Sequence, residues 1–306
     1  MVYKNKVLFL ISKNSGLACL KSFVAYNKVQ SQVFVMTFDD TVDERNCFED
    51  IKYYCESENI DLKIVKNNRE FLEIIFGYKF DAAFVCGWYW IIPNSVLLHL
   101  NDQVFGIHHS LLPKYRGFSP LVWSMINGDD IVGSSLFKIS DGIDVGDVYY
   151  QWTVAGKGNK VKRVLAELES KIADNFGYVL KQILDGNNLG KEQDHSSASY
   201  CARRNIDSGL IDWSQPADRV LWFINAQTEP YPGAYFEIKG KRFIVESAEL
   251  FTYPVYAKPG QVVMFLDSGI VIGCGDSRGI EVKEIRGNEE LDKVLNSHDL
   301  VLGHSL

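Results

Sequence analysis

Apolar runs at 6–11, 31–37, 60–65, 81–87, 103–109 and 132–139 alternate with segments of helical periodicity at about 16–27, 43–58, 68–76 and 118–127. Short continuous runs of this kind, separated by amphipathic helices, predict an α/β architecture with a mostly parallel sheet covered on both faces. A longer amphipathic segment, Val161 to Leu184, predicts one more helix, and Asp185-Gly186-Asn187-Asn188 supplies its stop. The polar stretch from Gly186 to Ser199 then reads as a linker.

Beyond Ser199 the period changes. Residues 233–238, 242–251, 261–266, 269–273 and 279–285 predict short strands divided by Gly, Pro, Lys and Asp turns, the pattern of a small β-barrel. The predicted organisation is a first domain over 1–186, a linker over 187–199 and a β domain over 200–306. No repeat or heptad interrupts this pattern.

Composition agrees with two soluble domains. The 306 residues fit about two units at roughly 150 residues each, and 46% apolar content is ample for packed cores. Cys19, Cys47, Cys55, Cys86, Cys201 and Cys274 contain no CxxC pair, which argues against a zinc site or disulfide framework and for buried thiols in a reducing compartment. Val7 to Ile11 is too short to span a membrane and no signal-peptide cleavage pattern follows it, so it reads as a first core strand and the expected location is the cytoplasm, with no membrane partner. The net charge of −7 weighs against a nucleic-acid partner. Lys157, Lys160, Lys162, Arg163, Arg203 and Arg204 read as solvated faces.

Several chemistries are missing. Ser12-Lys13-Asn14-Ser15-Gly16 after the first strand matches neither a dinucleotide fingerprint nor a Walker loop. Its amides and Lys13 could hold a phosphate at a helix N-terminus, or the segment is an ordinary strand-to-helix turn. No GxSxG elbow occurs, and Ser110 beside His109 makes a poor nucleophile–base pair, because adjacent strand residues point to opposite faces.

What remains is the stretch Phe105 to Gly117, FGIHHSLLPKYRG, and the acidic loop DGIDVGD at 141–147. On a strand from Val104 to His109, Gly106 and His108 share one face. Turn residues end the run, so His108 falls at a carboxyl end, where open α/β sheets place their ligands. Asp144, between Gly142 and Gly146, is on a loop able to bend back toward His108. His109, His99, His195, His298 and His304 read as structural or surface residues. Cys86 to Pro93, CGWYWIIP, offers the apolar walls and backbone donors that a flat heterocycle needs, with Trp88, Tyr89, Ile91 and Ile92 as walls and Trp90 as readily core as wall.

These residues carry a resemblance. His108 to Gly117 with Pro120 resembles the HxSLLPxYRGxxP signature of the 10-formyltetrahydrofolate-dependent formyltransferases, and Asp141 to Asp147 resembles their DxGxDxGD element. Ser208-Gly209-Leu210-Ile211-Asp212-Trp213 and Pro230-Tyr231-Pro232-Gly233-Ala234 are similar to motifs of that family's smaller domain. The resemblance implies a Rossmann-like formyltransferase fold with an OB-like C-terminal domain, and formyl transfer from 10-formyltetrahydrofolate to an amine. His108 and Asp144 take the positions of the family's catalytic histidine and aspartate. Trp88, Tyr89, Ile91, Ile92, Asp141 and Gly142 fall on the folate side, and Ser12, Lys13, Asn14, Ser110 and Arg116 on the acceptor side. Arg116 either contacts an anionic acceptor or braces its own loop.

One position departs. The family's catalytic asparagine is replaced by Gly106, and losing one oxyanion donor costs about 10²–10³ in rate. Three explanations stay open: a weakened enzyme, an altered acceptor, or an asparagine deliberately replaced. A water in the vacated space would partly substitute for the amide, and restoring asparagine is expected to raise the rate. The family's acceptors are methionyl-tRNA, a glycinamide ribonucleotide and nucleotide-linked amino sugars. The C-terminal domain argues against the second. The acidic segment Phe38 to Asp50, FDDTVDERNCFED, stands where tRNA-acting relatives carry a basic loop and argues against the first. A sugar nucleotide is the expected partner, with a methionyl-tRNA formyltransferase-like enzyme or an impaired folate-binding homologue as alternatives. Trp222, Phe223, Tyr231 and Tyr235 read as core residues rather than base-stacking ones. Sugar-modifying relatives are commonly dimers, so the resemblance implies a homodimer.

Overall fold

The computed structural model describes residues 5–27, 31–43, 46–238 and 240–286. The chain divides into two compact units: Met1–Pro120 with Gly133–Val154 and Ala166–Cys201, and Leu121–Val132 with Ala155–Leu165 and Ala202–Leu306. Each takes stretches from both halves of the sequence.

The first unit is built on β1 (Asn5–Ile11), β2 (Ser31–Thr37), β3 (Asp61–Ile64), β4 (Ala82–Cys86), β5 (Val104–His108), the short β6 (Arg116–Gly117), β7 (Ile131–Lys138) and β8 (Val148–Ala155). Seven of these form one sheet in the order β3-β2-β1-β4-β5-β7-β8. Pairing is parallel from β3 through β5, and β7 runs antiparallel to β5 with His108 opposite Ser135. Leu8, Phe9, Leu10 and Ile11 are fully buried, as a central strand covered on both faces requires. Strand order reverses between β1 and β4, and the carboxyl ends flanking such a reversal are where doubly wound sheets bind ligands.

Six helices connect the strands: α1 (Lys13–Asn27), α2 (Phe48–Ser57), α3 (Asn68–Gly77), α4 (Asn94–His99), α5 (Pro120–Ile126) and α6 (Val161–Leu184). The segment expected to be helical from 43 starts only at Phe48. Before it, polar groups are spent on turns: Asp39 accepts from the Thr41 amide and hydroxyl, and Asn46 donates to the Asp43 carbonyl. Asn67 caps α3 by accepting from the Glu70 amide at 3.0 Å.

The stretch read as a linker ends in β9 (Tyr200–Cys201), which pairs parallel with β6 within the first unit. The second unit holds α7 (Ala217–Asn225) and an antiparallel sheet of β10 (Ala234–Ile238), β11 (Lys241–Leu250), β12 (Val262–Leu266), β13 (Gly269–Gly273) and β14 (Gly279–Ile285), in the order β10-β11-β14-β13-β12. Val220 and Ile224 of α7 pack with Phe236, Val245, Ile272 and Ile280 of the sheet in one core.

All six cysteines are free thiols. Among the described residues no helix is long and apolar enough to cross a membrane, and no group of His, Cys, Asp and Glu is placed to hold a metal.

Candidate active site

His108 ends β5, only 8% exposed, with its ring edge-on to Phe137 of the neighbouring β7. Its Nε2 lies 2.8 Å from the Tyr115 carbonyl oxygen. A carbonyl only accepts, so Nε2 carries the proton of the neutral ring and Nδ1 is the nitrogen left free to take one up. Nδ1 faces Asp144 Oδ2 at 3.5 Å. The two residues, 36 apart in sequence, thus meet at Nδ1.

Asp144 is held from several sides. The Gly117 amide donates to its Oδ2 at 2.8 Å, and the Gln193 side-chain amide donates to its backbone carbonyl at 2.9 Å. Its φ of 52° and the φ of 60° at Tyr115 place both partners of His108 in the left-handed region. Non-glycine residues there cost about 1–3 kcal/mol each and persist only where the surroundings over-determine them. Gly117, with φ 97°, passes so close to β9 that a Cβ would stand 2.8 Å from the Cys201 carbonyl oxygen.

Gly106 shares the His108 face as parity predicts. A Cβ there would lie 3.1 Å from Ile139 Cδ1 and 3.2 Å from the Val85 carbonyl oxygen. The Ile139 side chain, which the backbone bond from the Ile139 amide to the Val104 carbonyl brings against β5, therefore crowds the place where an asparagine Cβ would stand.

The loop after β4 splits its candidates. Trp88 and Ile92 pack inward with Trp90 against the cluster containing Phe38 and Phe71, while Tyr89 is 55% and Ile91 88% exposed. Trp88 Nε1 is buried without a hydrogen-bond partner. The loop is tied to the turn after β1, since Ser12 Oγ donates to the Gly87 carbonyl at 2.6 Å. Lys13 is engaged by Asp40 and, at 3.0 Å, by Asp43, and lies 5.0 Å from the Tyr89 ring centroid. Burial works against the ammonium, but the bonds to Asp40, Tyr89 and Asp43 outweigh it and raise its pKa above the ordinary lysine value. Tyr89 donates to the same Asp43 at 2.9 Å. Asn14 is exposed on the first turn of α1.

Ser110 and Arg116 both turn inward, each 1% exposed. Ser110 Oγ donates to the Lys114 carbonyl at 2.7 Å, and the Arg116 guanidinium reaches Gln193, Tyr200 and His195. Between the two readings left open for Arg116, the geometry is that of a brace. Asp141 and Gly142 are exposed at the start of the Asp144 loop. His109 points away from the pair, with Nδ1 2.9 Å from Ser134 Oγ, and desolvation, aided by the charge of His108, pushes its pKa down to about 4. His99 meets the Tyr78 carbonyl. His298 and His304 lie outside the described residues. In the second unit Tyr235 is buried, Phe223 packs against the core, and the Lys157 ammonium covers Trp222. Two participants escaped the sequence reading, Gln193 and the Tyr115 carbonyl. No local pattern marks the first, and a backbone group has none.

A buried imidazole facing a carboxylate at the carboxyl edge of a doubly wound sheet is an arrangement able to take up and hand on a proton. The formyl transferase family model matches residues 5–174, and the model of the formyl transferase C-terminal domain matches residues 205–304. The chain belongs to the formyltransferase family and is a transferase. A methionyl-tRNA formyltransferase of Pelagibacter ubique is 30% identical over 260 residues, 84% of this chain and 81% of that protein. Among solved structures, an N-formyltransferase from Helicobacter canadensis in complex with folinic acid and dTDP-3-aminofucose superposes with a TM-score of 0.70 at 18% identity, over 92% of this chain and 99% of that one. WlaRD, a sugar 3N-formyl transferase in the presence of dTDP and 5-N-formyl-THF, does so with a TM-score of 0.69 at 18% identity, over 94% and 99%.

Proposed function

We propose that this protein moves the formyl group of 10-formyltetrahydrofolate to the amine of a nucleotide-linked amino sugar. The observation that carries the reading is the pairing of His108 Nδ1 with Asp144 at 3.5 Å, with Nε2 fixed by Tyr115. Attack by a neutral amine on a formyl carbon leaves an oxyanion at carbon and a cation at nitrogen. His108 Nδ1 would take the nitrogen's proton, directly or through water, with Asp144 stabilising the imidazolium, and would return it to the carrier nitrogen as that nitrogen's bond to the formyl carbon breaks and tetrahydrofolate leaves. The bound folate supplies the activated formyl carbon. Tyr89 and Ile91 would hold its pterin as exposed apolar walls.

For the acceptor, the support is electrostatic. Lys13, the cation expected to meet a phosphate, is neutralised by Asp40 and Asp43, and the segment around it carries excess negative charge. The long phosphate backbone of a transfer RNA would be repelled there more strongly than the few phosphates of a nucleotide sugar. Two solved structures that cover nearly all of this chain and of their own are a sugar 3N-formyl transferase and an N-formyltransferase in complex with dTDP-3-aminofucose. The 30% identity to a methionyl-tRNA formyltransferase favours the second reading, transfer to methionyl-tRNA.

One assay separates them. Formylation is measured with 3-amino-3,6-dideoxyhexose and 4-amino-4,6-dideoxyhexose nucleotides and with methionyl-tRNA, beside calorimetric titration of 5-formyltetrahydrofolate. Transfer to a sugar is expected. Transfer to methionyl-tRNA alone defeats the sugar reading, and binding without any transfer points to a folate-binding homologue that has lost turnover. Sedimentation equilibrium tests the homodimer that accompanies this reading.

A further inference from the structure

Residues 191–201 touch both partners of His108. On one side, the Ser199 hydroxyl accepts from the Tyr115 amide at 2.8 Å, the Ser199 carbonyl accepts from the Arg116 amide at 2.8 Å, and β9 pairs with β6. On the other, Lys191 and Val148 exchange backbone bonds of 2.8 Å just past the Asp144 loop. Gln193 lies between. Only 5% exposed, it directs both hydrogens of its amide into that loop, to the Asp144 carbonyl at 2.9 Å and the Gly146 carbonyl at 2.6 Å. Its amide oxygen accepts from Arg116 Nη2 at 2.7 Å and Nε at 3.2 Å. Each of its polar atoms is therefore used.

Arg116 makes the arrangement directional. Among the described residues its fully buried guanidinium has no carboxylate for a bonding partner; its partners are Gln193 Oε1, Tyr200 Oη and His195 Nδ1. A buried cation served by neutral acceptors holds each of them firmly, because losing one leaves a charged donor unpaired in a low dielectric. The grip on Oε1 fixes which way the Gln193 amide faces, so its hydrogens must point at Asp144 and Gly146.

We propose that Gln193 is the positioning residue that sets Asp144 against His108, at the centre of a clamp formed by residues 191–201. Ser199 holds the Tyr115 backbone that fixes His108 Nε2, Gln193 holds the Asp144 backbone that faces Nδ1, and one segment thereby sets both sides of the imidazole. The inference rests on the reading in which Asp144 acts on the transferred proton.

The test uses the full chain and Gln193→Glu. A glutamate keeps an oxygen for Arg116, so the buried cation stays partnered, but it turns a second acceptor on the Asp144 and Gly146 carbonyls and pushes the loop away. The expected result is a fall in kcat of about 10- to 100-fold with KM for the acceptor nearly unchanged, a melting temperature close to the wild type, and faster hydrogen exchange at the Gly117 amide, whose acceptor is Asp144 Oδ2. Should Gln193→Glu fail to fold, Ser199→Ala tests the other arm: it removes the bond to the Tyr115 amide and is expected to lower kcat in the same way without a change in KM. Wild-type kcat and wild-type Gly117 exchange in the folded Gln193→Glu protein overturn the proposal, as does a loss of activity that only tracks the unfolded fraction. If the wild-type protein formylates no amino sugar, the acceptor assignment fails, and the Gly117 exchange comparison still decides the role of Gln193.

Discussion

His108 and His109 are neighbours with opposite surroundings, one facing a carboxylate and the other desolvated against Ser134. Their difference has a measurable consequence. The ordinary pKa of 6.5 falls to about 4 at His109 in the folded state. Between those values the unfolded chain binds more protons than the folded one, so stability is complete above pH 6.5 and is lost as pH drops toward 4, by roughly 3 kcal/mol in all. Urea midpoints for wild type and His109→Gln at pH 7 and pH 5 check this: the variant is expected to lose much of the acid sensitivity, and equal slopes would remove His109 from the account. At Gly106 the expectation changes with the structure. Gly106→Asn alone is expected to bring no gain, because its Cβ meets Ile139 and the Val85 carbonyl. Combined with Ile139→Ala, which vacates the space, it is expected to raise single-turnover formyl transfer by about tenfold or more. A gain from Gly106→Asn by itself would show that Ile139 yields freely.

At the scale of elements, β6 is two residues long yet carries the donor to Asp144. Gly117→Ala places a Cβ in the left-handed region and 2.8 Å from the Cys201 carbonyl oxygen, so it is expected to cost about 1–3 kcal/mol by denaturant unfolding and to lower activity through the displaced amide. Asn67→Ala, which removes the α3 cap, is expected to cost about 1 kcal/mol while leaving kcat unchanged. The elements that were legible in the chain share one property, a continuous apolar run or an unbroken amphipathic stripe: β1, β2, β5, α6 and all the strands of the second unit fall where the pattern puts them. β8 offers no continuous apolar run to mark it: Val148 to Gln151 are all partly or fully exposed, and only Trp152 and Val154 are buried. α4 is too short to show a helical period. The segment before β9 looked like a linker because its one buried polar side chain, Gln193, owes its burial to partners far away in sequence.

For the molecule as a whole, the net charge of −7 weighs against a long nucleic acid held by an attractive field. Nitrocellulose binding of transfer RNA is accordingly expected to be absent at about 150 mM salt, and tight, salt-sensitive retention would contradict that view. The sequence by itself determined the alternation of strands and helices, the strand face shared by Gly106 and His108, the Asp144 loop and the family to which they belong. These follow from local rules, the two-residue period of a strand and the chemistry of turns. Only the tertiary structure decided that His108 Nδ1 meets Asp144, that Ile139 crowds Gly106, that Asp40 and Asp43 neutralise Lys13, and that Gln193 bonds to both Arg116 and the Asp144 loop. The reason is physical: each of those contacts closes a gap of tens of residues, and what closes it is the packing of the whole sheet rather than any preference its own segment expresses.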